Sequence, residues 1–292
     1  MATVSFGIKT APQYTSYEEI VRIWQQTDAE SVFTHAWVFD HFTPLIGDIT
    51  GPCLEGWTLL SALAALTTRV RVGIMVTGNT YRHPAVLANM AATVDIISHG
   101  RLDFGIGAGW NEAEHTMYGI PLYAPAERIH RLEEACEVIR RLWTEPSVTF
   151  AGRYYHLQDA VCEPKPVQQP HPPFVIGGSG EQLTLRVVAR YANIWNFSGN
   201  DVDMFIHKSD VLKAHCAAVG RDDATIARSV QLHVDPDNLG ELKESAHRMI
   251  VAGATHLVFY LRAPYPEDIV HRVAHEVAMP LAQQAGITVA GN

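Results

Sequence analysis

Short apolar runs alternate along this chain with longer stretches whose apolar residues recur at helical spacing, and the alternation repeats eight times. Residues 4–8 have the composition of a buried strand. Tyr17–Ala29 then places Ile20, Ile23 and Trp24 on one helical face. Residues 36–39 predict a second strand, followed by an apolar helix at 57–67. A third strand is expected at 70–76, and its helix at Pro84–Ile97 opens on a proline, whose missing N–H costs nothing in a first turn. The fourth strand, 101–106, leads to a helix at 126–143 with Ile129, Leu132, Ala135, Cys136 and Ile139 on a shared face. Four more units follow: strand 174–176 with helix 182–191, 192–196 with 204–219, 230–234 with 242–252, and His256–Leu261 with 266–285.

Strand-helix alternation implies parallel strands joined by right-handed crossovers. Eight consecutive units predict an α/β fold of the (β/α)8 TIM barrel type. One stretch breaks the pattern. Residues 145–173 are rich in proline (Pro164, Pro166, Pro170, Pro172 and Pro173) and carry an aromatic, hairpin-like segment at 150–157. That length exceeds an ordinary connector, so it is expected as an insertion between the fourth helix and the fifth strand, lying over one end of the barrel. The whole chain, 1–292, reads as one domain.

Composition narrows the function. Of the 292 residues 47% are hydrophobic and 18% charged, which suits a globular enzyme and not a disordered chain. A net charge of −9 without a basic stripe argues against a nucleic-acid partner. It does not exclude a phosphorylated ligand, because backbone N–H groups bind phosphate without any Lys or Arg. Cys53, Cys136, Cys162 and Cys216 are widely spaced with no CxxC pair, as expected of reduced structural thiols. No secretory pattern opens the chain and no apolar run approaches the roughly 20 residues of a membrane span. A soluble, cytoplasmic protein with no membrane partner is the expectation.

In a parallel barrel the C-terminal strand ends face the active site. That rule selects Asp40-His41-Phe42 after strand two, Thr77-Gly78-Asn79 after strand three, Gly107-Ala108-Gly109-Trp110-Asn111-Glu112 after strand four and Gly177-Gly178-Ser179-Gly180 after strand five. Glycines ahead of a helix let backbone approach a ligand, and helix-end N–H groups attract phosphate; the plainer alternative is a tight turn. Gly105-Ile106-Gly107-Ala108-Gly109 lacks G-x-G-x-x-G spacing and follows a fourth strand, which argues against a Rossmann fold. Those glycines are expected to clear side chains from the mouth so that a flat ring can lie on backbone. His41, beside a carboxylate, suits proton handling, with a structural histidine as the alternative. His271 and His275 stand four apart with no third ligand near them in sequence, and no HExxH occurs, so no metal site is expected. No G-x-S-x-G elbow appears.

These residues together resemble the bacterial luciferase-like superfamily, in particular its F420-dependent oxidoreductases. The resemblance runs over roughly residues 4–220. It rests on Trp37-Val38-Phe39-Asp40-His41-Phe42, on Val76-Thr77-Gly78-Asn79-Thr80-Tyr81-Arg82-His83-Pro84, on Gly100-Arg101-Leu102 running to Gly107-Ala108-Gly109-Trp110, and on Pro164-Lys165-Pro166 with Gly177-Gly178-Ser179-Gly180. It implies a barrel with an insertion, a homodimer through outer helices, and a cofactor ring across the mouth. The ring would be pressed by a strand-three bulge with a non-prolyl cis peptide near Ile74-Met75. By the same resemblance Asp40 and Thr77 would hydrogen-bond the deazaflavin ring, Gly107 and Ala108 would line its side chain and Gly177-Gly178 would meet its phosphate, with Ile74, Met75, Asn79, Trp110, Ile176 and Ser179 also expected at the cofactor. His41 would stand near the reacting carbon as the catalytic residue.

Two departures matter. Sugar-phosphate dehydrogenases of the family carry a Trp where this chain has Leu45, and a Glu where it has Trp110. The acid of that mechanism is therefore expected to be missing. Trp110 with Tyr81, Tyr154 and Tyr155 suggests an apolar or aromatic pocket for a different small molecule. The resemblance implies coenzyme F420 and a hydride exchanged at its C5. The alternative is an FMNH2-dependent monooxygenase using FMN chemistry on O2, and a third reading is a cofactor-free binding barrel.

Overall fold

The expected strands pair side by side, all parallel, and close on themselves. A computed structural model describes residues 4–284. In chain order it contains β1 (Ser5–Thr10), α1 (Tyr17–Ala29), β2 (Phe33–Val38), α2 (Gly56–Leu66), β3 (Arg71–Ile74), β4 (Thr77–Gly78), α3 (Pro84–Ile97) and β5 (Leu102–Gly107). Then come α4 (Glu112–Met117), α5 (Pro125–Thr144), β6 (Val148–Ala151), β7 (His156–Ala160), β8 (Phe174–Gly177), α6 (Thr184–Tyr191), β9 (Ile194–Phe197) and α7 (Val202–Ala218). The chain continues through β10 (Ala227–His233), α8 (Leu239–Val251) and β11 (His256–Leu261) to α9 (Ile269–Arg272), a π turn at Val273–Ala278, and α10 (Met279–Gln284). The last residue of the helix expected at 266–285 lies outside the described residues.

Strands run in the order β3-β2-β1-β11-β10-β9-β8-β5, and β3 pairs with β5 to complete the ring. This is the (β/α)8 barrel. Its main core lies between strands and helices, where Trp24, Phe33, Leu60, Phe104 and Trp195 are fully enclosed. Inside the barrel a smaller apolar set, Trp37, Met75, Val175 and Val258, fills the middle. Toward the N-terminal strand ends, His35 stacks on Trp37 and its Nε2 lies 3.3 Å from Asp103, which also pairs with Arg71. Burial alone would raise the Asp103 carboxyl, but Arg71 and His35 hold it down at about 2. That end of the interior is therefore closed, leaving the C-terminal end to carry a site.

The third barrel strand is not continuous as its composition suggested. It breaks between Ile74 and Thr77, and β4 resumes pairing with β5. The non-prolyl cis bond lies at Met75-Val76, one residue beyond the Ile74-Met75 position expected. Glycines make the break possible. A methyl group on Gly105 would come within 1.8 Å of the Ile74 carbonyl oxygen, and one on Gly107 or Gly177 within 2.9 Å of a Val76 methyl. The glycine run thus first makes room for the bulge itself, and only through that for anything resting on it.

The insertion falls between the fourth barrel helix, α5, and the fifth barrel strand, β8, as expected. β6 and β7 form an antiparallel hairpin whose tip is held by Glu134 of α5, which accepts from the N–H groups of Arg153, Tyr154 and Tyr155. The proline-rich return docks through Gln168 onto Asp95 near the end of α3 and onto Arg71. So the hairpin packs on α5 with its Tyr155 reaching Asn79, while the proline-rich return docks at the end opposite the mouth.

Candidate active site

At the C-terminal ends of the strands lies a cavity of about 400 Å³. Its wall includes Asp40, His41, Met75, Thr77, Gly107, Ala108, Trp110, Gly177 and Gly178, all singled out from sequence. Four others stand elsewhere. Ile74 and Ile176 are fully buried behind the wall. Asn79 is buried and donates to the Tyr155 hydroxyl at 3.1 Å, and Ser179 lies at the rim, bonded to Ser198. Tyr81 lines the cavity, but Tyr154 and Tyr155 do not. The hairpin tip turns Tyr154 toward α5, where Arg131 packs on its ring at 4.5 Å, and Tyr155 toward Asn79 and His83.

Asp40 and His41 are adjacent in sequence but act apart. Both oxygens of Asp40 accept from Arg82, at 2.6 and 3.0 Å, and Arg82 also reaches Glu55 at 2.5 Å. Burial pushes the Asp40 carboxyl up, against the pull of Arg82. The carboxylate that meets His41 is Glu114, whose Oε2 lies 2.8 Å from Nδ1. Asn111 caps α4 by accepting from the Glu114 N–H, so this one short helix carries the carboxylate inward. Its other oxygen accepts from the N–H groups of Phe42 and Thr43, at 2.7 and 3.0 Å. The Tyr81 hydroxyl donates to Oε2 at 2.5 Å.

Burial alone would raise the Glu114 carboxyl. The donors from His41, Tyr81 and Thr43 outweigh it and set the group at about 2. Glu114 therefore stays ionised at neutral pH and accepts from His41 Nδ1–H, the arrangement that leaves Nε2 as the free basic atom. Nε2 has no hydrogen-bond partner among the described residues. The Trp110 ring stands edge-on to the imidazole, centroids 5.6 Å apart, and is 63% exposed at the rim. The Cys53 thiol, pushed up to about 12 by burial, bonds to the His41 carbonyl and is no nucleophile. All four cysteines are free.

Position 110 places a tryptophan ring, not a carboxylate, at the cavity rim. The carboxylate that meets His41, Glu114, is brought in by a helical turn that the strand-end reading passed over. Lys9, Arg128, Gln231 and Tyr260 also line the cavity without having been singled out. A lysine closing an apolar first strand was the available signal for Lys9. Nothing in the local pattern marked Arg128, whose Nε is buried without a partner. A second cavity of about 690 Å³, lined by β9, β10 and α8, shares Ser198, Gln231 and Tyr260 with the first.

A family model described as luciferase-like monooxygenase matches residues 2–285. The chain belongs to this family. Among luciferase-like proteins, it is 34% identical over 203 residues to an F420-dependent glucose-6-phosphate dehydrogenase of Kineococcus radiotolerans, a match covering 69% of this chain and 59% of that one. It is 32% identical over 167 residues to an FMNH2-dependent dimethylsulfone monooxygenase of Pseudomonas putida, covering 57% of this chain and 45% of that one. An F420-dependent secondary alcohol dehydrogenase, solved in complex with an F420-acetone adduct, superposes with a TM-score of 0.85 at 18% identity, over 96% of this chain and 99% of that one.

Away from the luciferase-like mouth, the third partner that sequence did not offer His271 and His275 is Glu30, at the end of α1. It lies 2.9 Å from one histidine and 3.5 Å from the other, so the three side chains form one surface cluster. Among the described residues no helix is long and apolar enough to cross a membrane.

Proposed function

We propose that this luciferase-like barrel is an F420-dependent oxidoreductase that moves a hydride between the cofactor and a small organic molecule, with His41 handling the accompanying proton. The observation that carries the reading is the His41-Glu114 dyad facing a glycine-floored cavity. When bound, the deazaflavin accepts or gives the hydride at C5. The chain's residues fit such a group. Val76, held forward by Gly105, Gly107 and Gly177, offers an apolar ledge for a flat ring, and Asp40 and Thr77 border it. The N–H groups of Ser179 and Gly180 have no acceptor among the described residues, and the orphaned Arg128 Nε adds a cation on the same cavity. Together these suit a phosphate.

In this reading Glu114 holds the imidazole in one tautomer and Nε2 takes a proton from, or returns it to, the substrate oxygen. Trp110 shields the site from water. The apolar wall of Phe39, Leu45, Met75 and Val76 suits a substrate less polar than a sugar phosphate. Exposed Leu66 and Val86 on the outer faces of α2 and α3 are consistent with a homodimer. Hydride transfer is tested by following loss of oxidised F420 absorbance with small alcohols, or its return from the reduced form with ketones and enones. His41→Ala should abolish turnover while leaving F420 affinity within about twofold. Equal turnover in both proteins would remove His41 from the chemistry.

A further inference from the structure

Lys9, next to last in β1, lies inside the barrel mouth and is only 7% exposed. Its Nζ donates to Gln231 Oε1 at 2.7 Å and lies 4.7 Å from the centre of the Tyr260 ring. Neither partner carries a negative charge. Gln231 is fixed in that orientation, because its Nε2 donates to Asn196 Oδ1 at 2.8 Å, and Asn196 in turn donates to Ser229. The carboxylate in the cavity wall, Asp40, and the one behind His41, Glu114, are already committed. Asp40 is taken by Arg82 and Glu114 by His41 and Tyr81. Among the described residues no carboxylate reaches the Lys9 ammonium. A buried cation left in this state is costly unless a ligand supplies the charge.

The position of Lys9 says which ligand. In the ring of strands β1 stands four places from β8, directly across the barrel from Gly177 and Gly178. A cofactor phosphate held at β8 and a ring lying on Val76 leave the β1, β10 and β11 side of the cavity for the second reactant. The same side is flanked by His41 and by the apolar Phe39.

We propose that Lys9 is the substrate-recognising group of this cavity, pairing with the carboxylate of a small acid whose apolar or aromatic frame lies against Phe39, Tyr81 and Trp110. This rests on the oxidoreductase reading for the direction in which the cofactor lies, but the pairing itself belongs to the chain alone. Burial lowers the Lys9 ammonium from 10.5 to about 7, so an arriving anion draws the proton on. The charged and titratable groups around it are His233 and Tyr260 on the neighbouring strands, Arg262 beyond β11, and Asp40 and His41 after β2.

Calorimetric titration of the full chain near pH 6 with benzoate, and with benzamide as its neutral counterpart, tests this. Benzoate should bind and benzamide should not. Lys9→Met should weaken benzoate at least tenfold, Lys9→Arg should retain it, and F420 affinity should stay within about twofold in both variants. No benzoate binding to the unaltered protein, or equal binding by Lys9→Met, would overturn the proposal. So would a parallel loss of F420 affinity in Lys9→Met, which would assign Lys9 to the cofactor. Failure of F420 to bind any of the proteins, with the benzoate pattern intact, would sink the F420 reading and leave Lys9 as an anion anchor.

Discussion

His41 and Glu114 lie 73 positions apart in the chain and meet with Nδ1 2.8 Å from Oε2, while the carboxylate next to His41 in sequence, Asp40, faces Arg82. The pairing divides two roles. Asp40 and Arg82 form a fixed polar wall, and Glu114 orients an imidazole whose second nitrogen is left for chemistry.

Replacing Glu114 separates orientation from binding. Glu114→Gln keeps the shape but offers an amide in place of the charge, so the imidazole loses its fixed tautomer. Turnover should fall by about 10- to 100-fold with F420 affinity little changed, read as a split between kcat and cofactor Kd. An unchanged kcat would make Glu114 purely structural.

The same residue shapes acid stability. The Glu114 carboxyl sits at about 2 against its ordinary 4.5, so its stabilisation is fully present above about 4.5 and is lost as pH falls toward 2. Denaturant melts across that window should show a steeper loss in the native protein than in Glu114→Gln. Parallel curves would mean that the unfolded chain holds the proton equally.

Lys9 has the opposite sign. Its ammonium is lowered to about 7 by burial, so the cost of charging it is borne in full below pH 7 and relieved as pH rises toward 10.5. Lys9→Met should therefore raise Tm at pH 6 by several degrees, on the order of 1–2 kcal/mol of stability. A lower Tm would show that Lys9 is a structural support.

How much of this was legible follows from where each signal resides. The barrel was readable because most of its strands and long helices state their own period locally, and Pro84–Ile97 and His256–Leu261 keep their expected bounds. The mouth was readable because strand ends converge there whatever the side chains. The partner of His41 was not, since a carboxylate on a six-residue helix leaves no periodic trace, and its approach depends on where α4 packs. Adjacency misled in the same way at Asp40, whose partner comes from beyond β4. The break at Met75-Val76 was placed only to within a residue, because it is the glycines on neighbouring strands that admit it.

Those glycines give a packing test. Gly107→Ala brings a methyl group within 2.9 Å of Val76 and should cost about 1–3 kcal/mol. Adding Val76→Ala should recover part of that loss, giving a non-additive pair in denaturant unfolding. Strict additivity would mean that the clash is relieved elsewhere. Gly105→Ala meets backbone at 1.8 Å and should not be rescued by any change at Val76.

Arg128 reports on the phosphate. Arg128→Met should weaken F420 binding by about tenfold or more, and Arg128→Lys by less, since a single charge replaces a fork of donors. Equal affinity in Arg128→Met would place the phosphate elsewhere.

The cofactor itself is the central claim, and side-by-side titration of the purified protein with oxidised F420 and with FMN, followed by fluorescence quenching, tests it most directly. Saturable quenching with F420, at an affinity well above that for FMN, is the expected result. Tight FMN binding with none for F420 would contradict the assignment and turn the reading toward flavin-dependent oxygen chemistry.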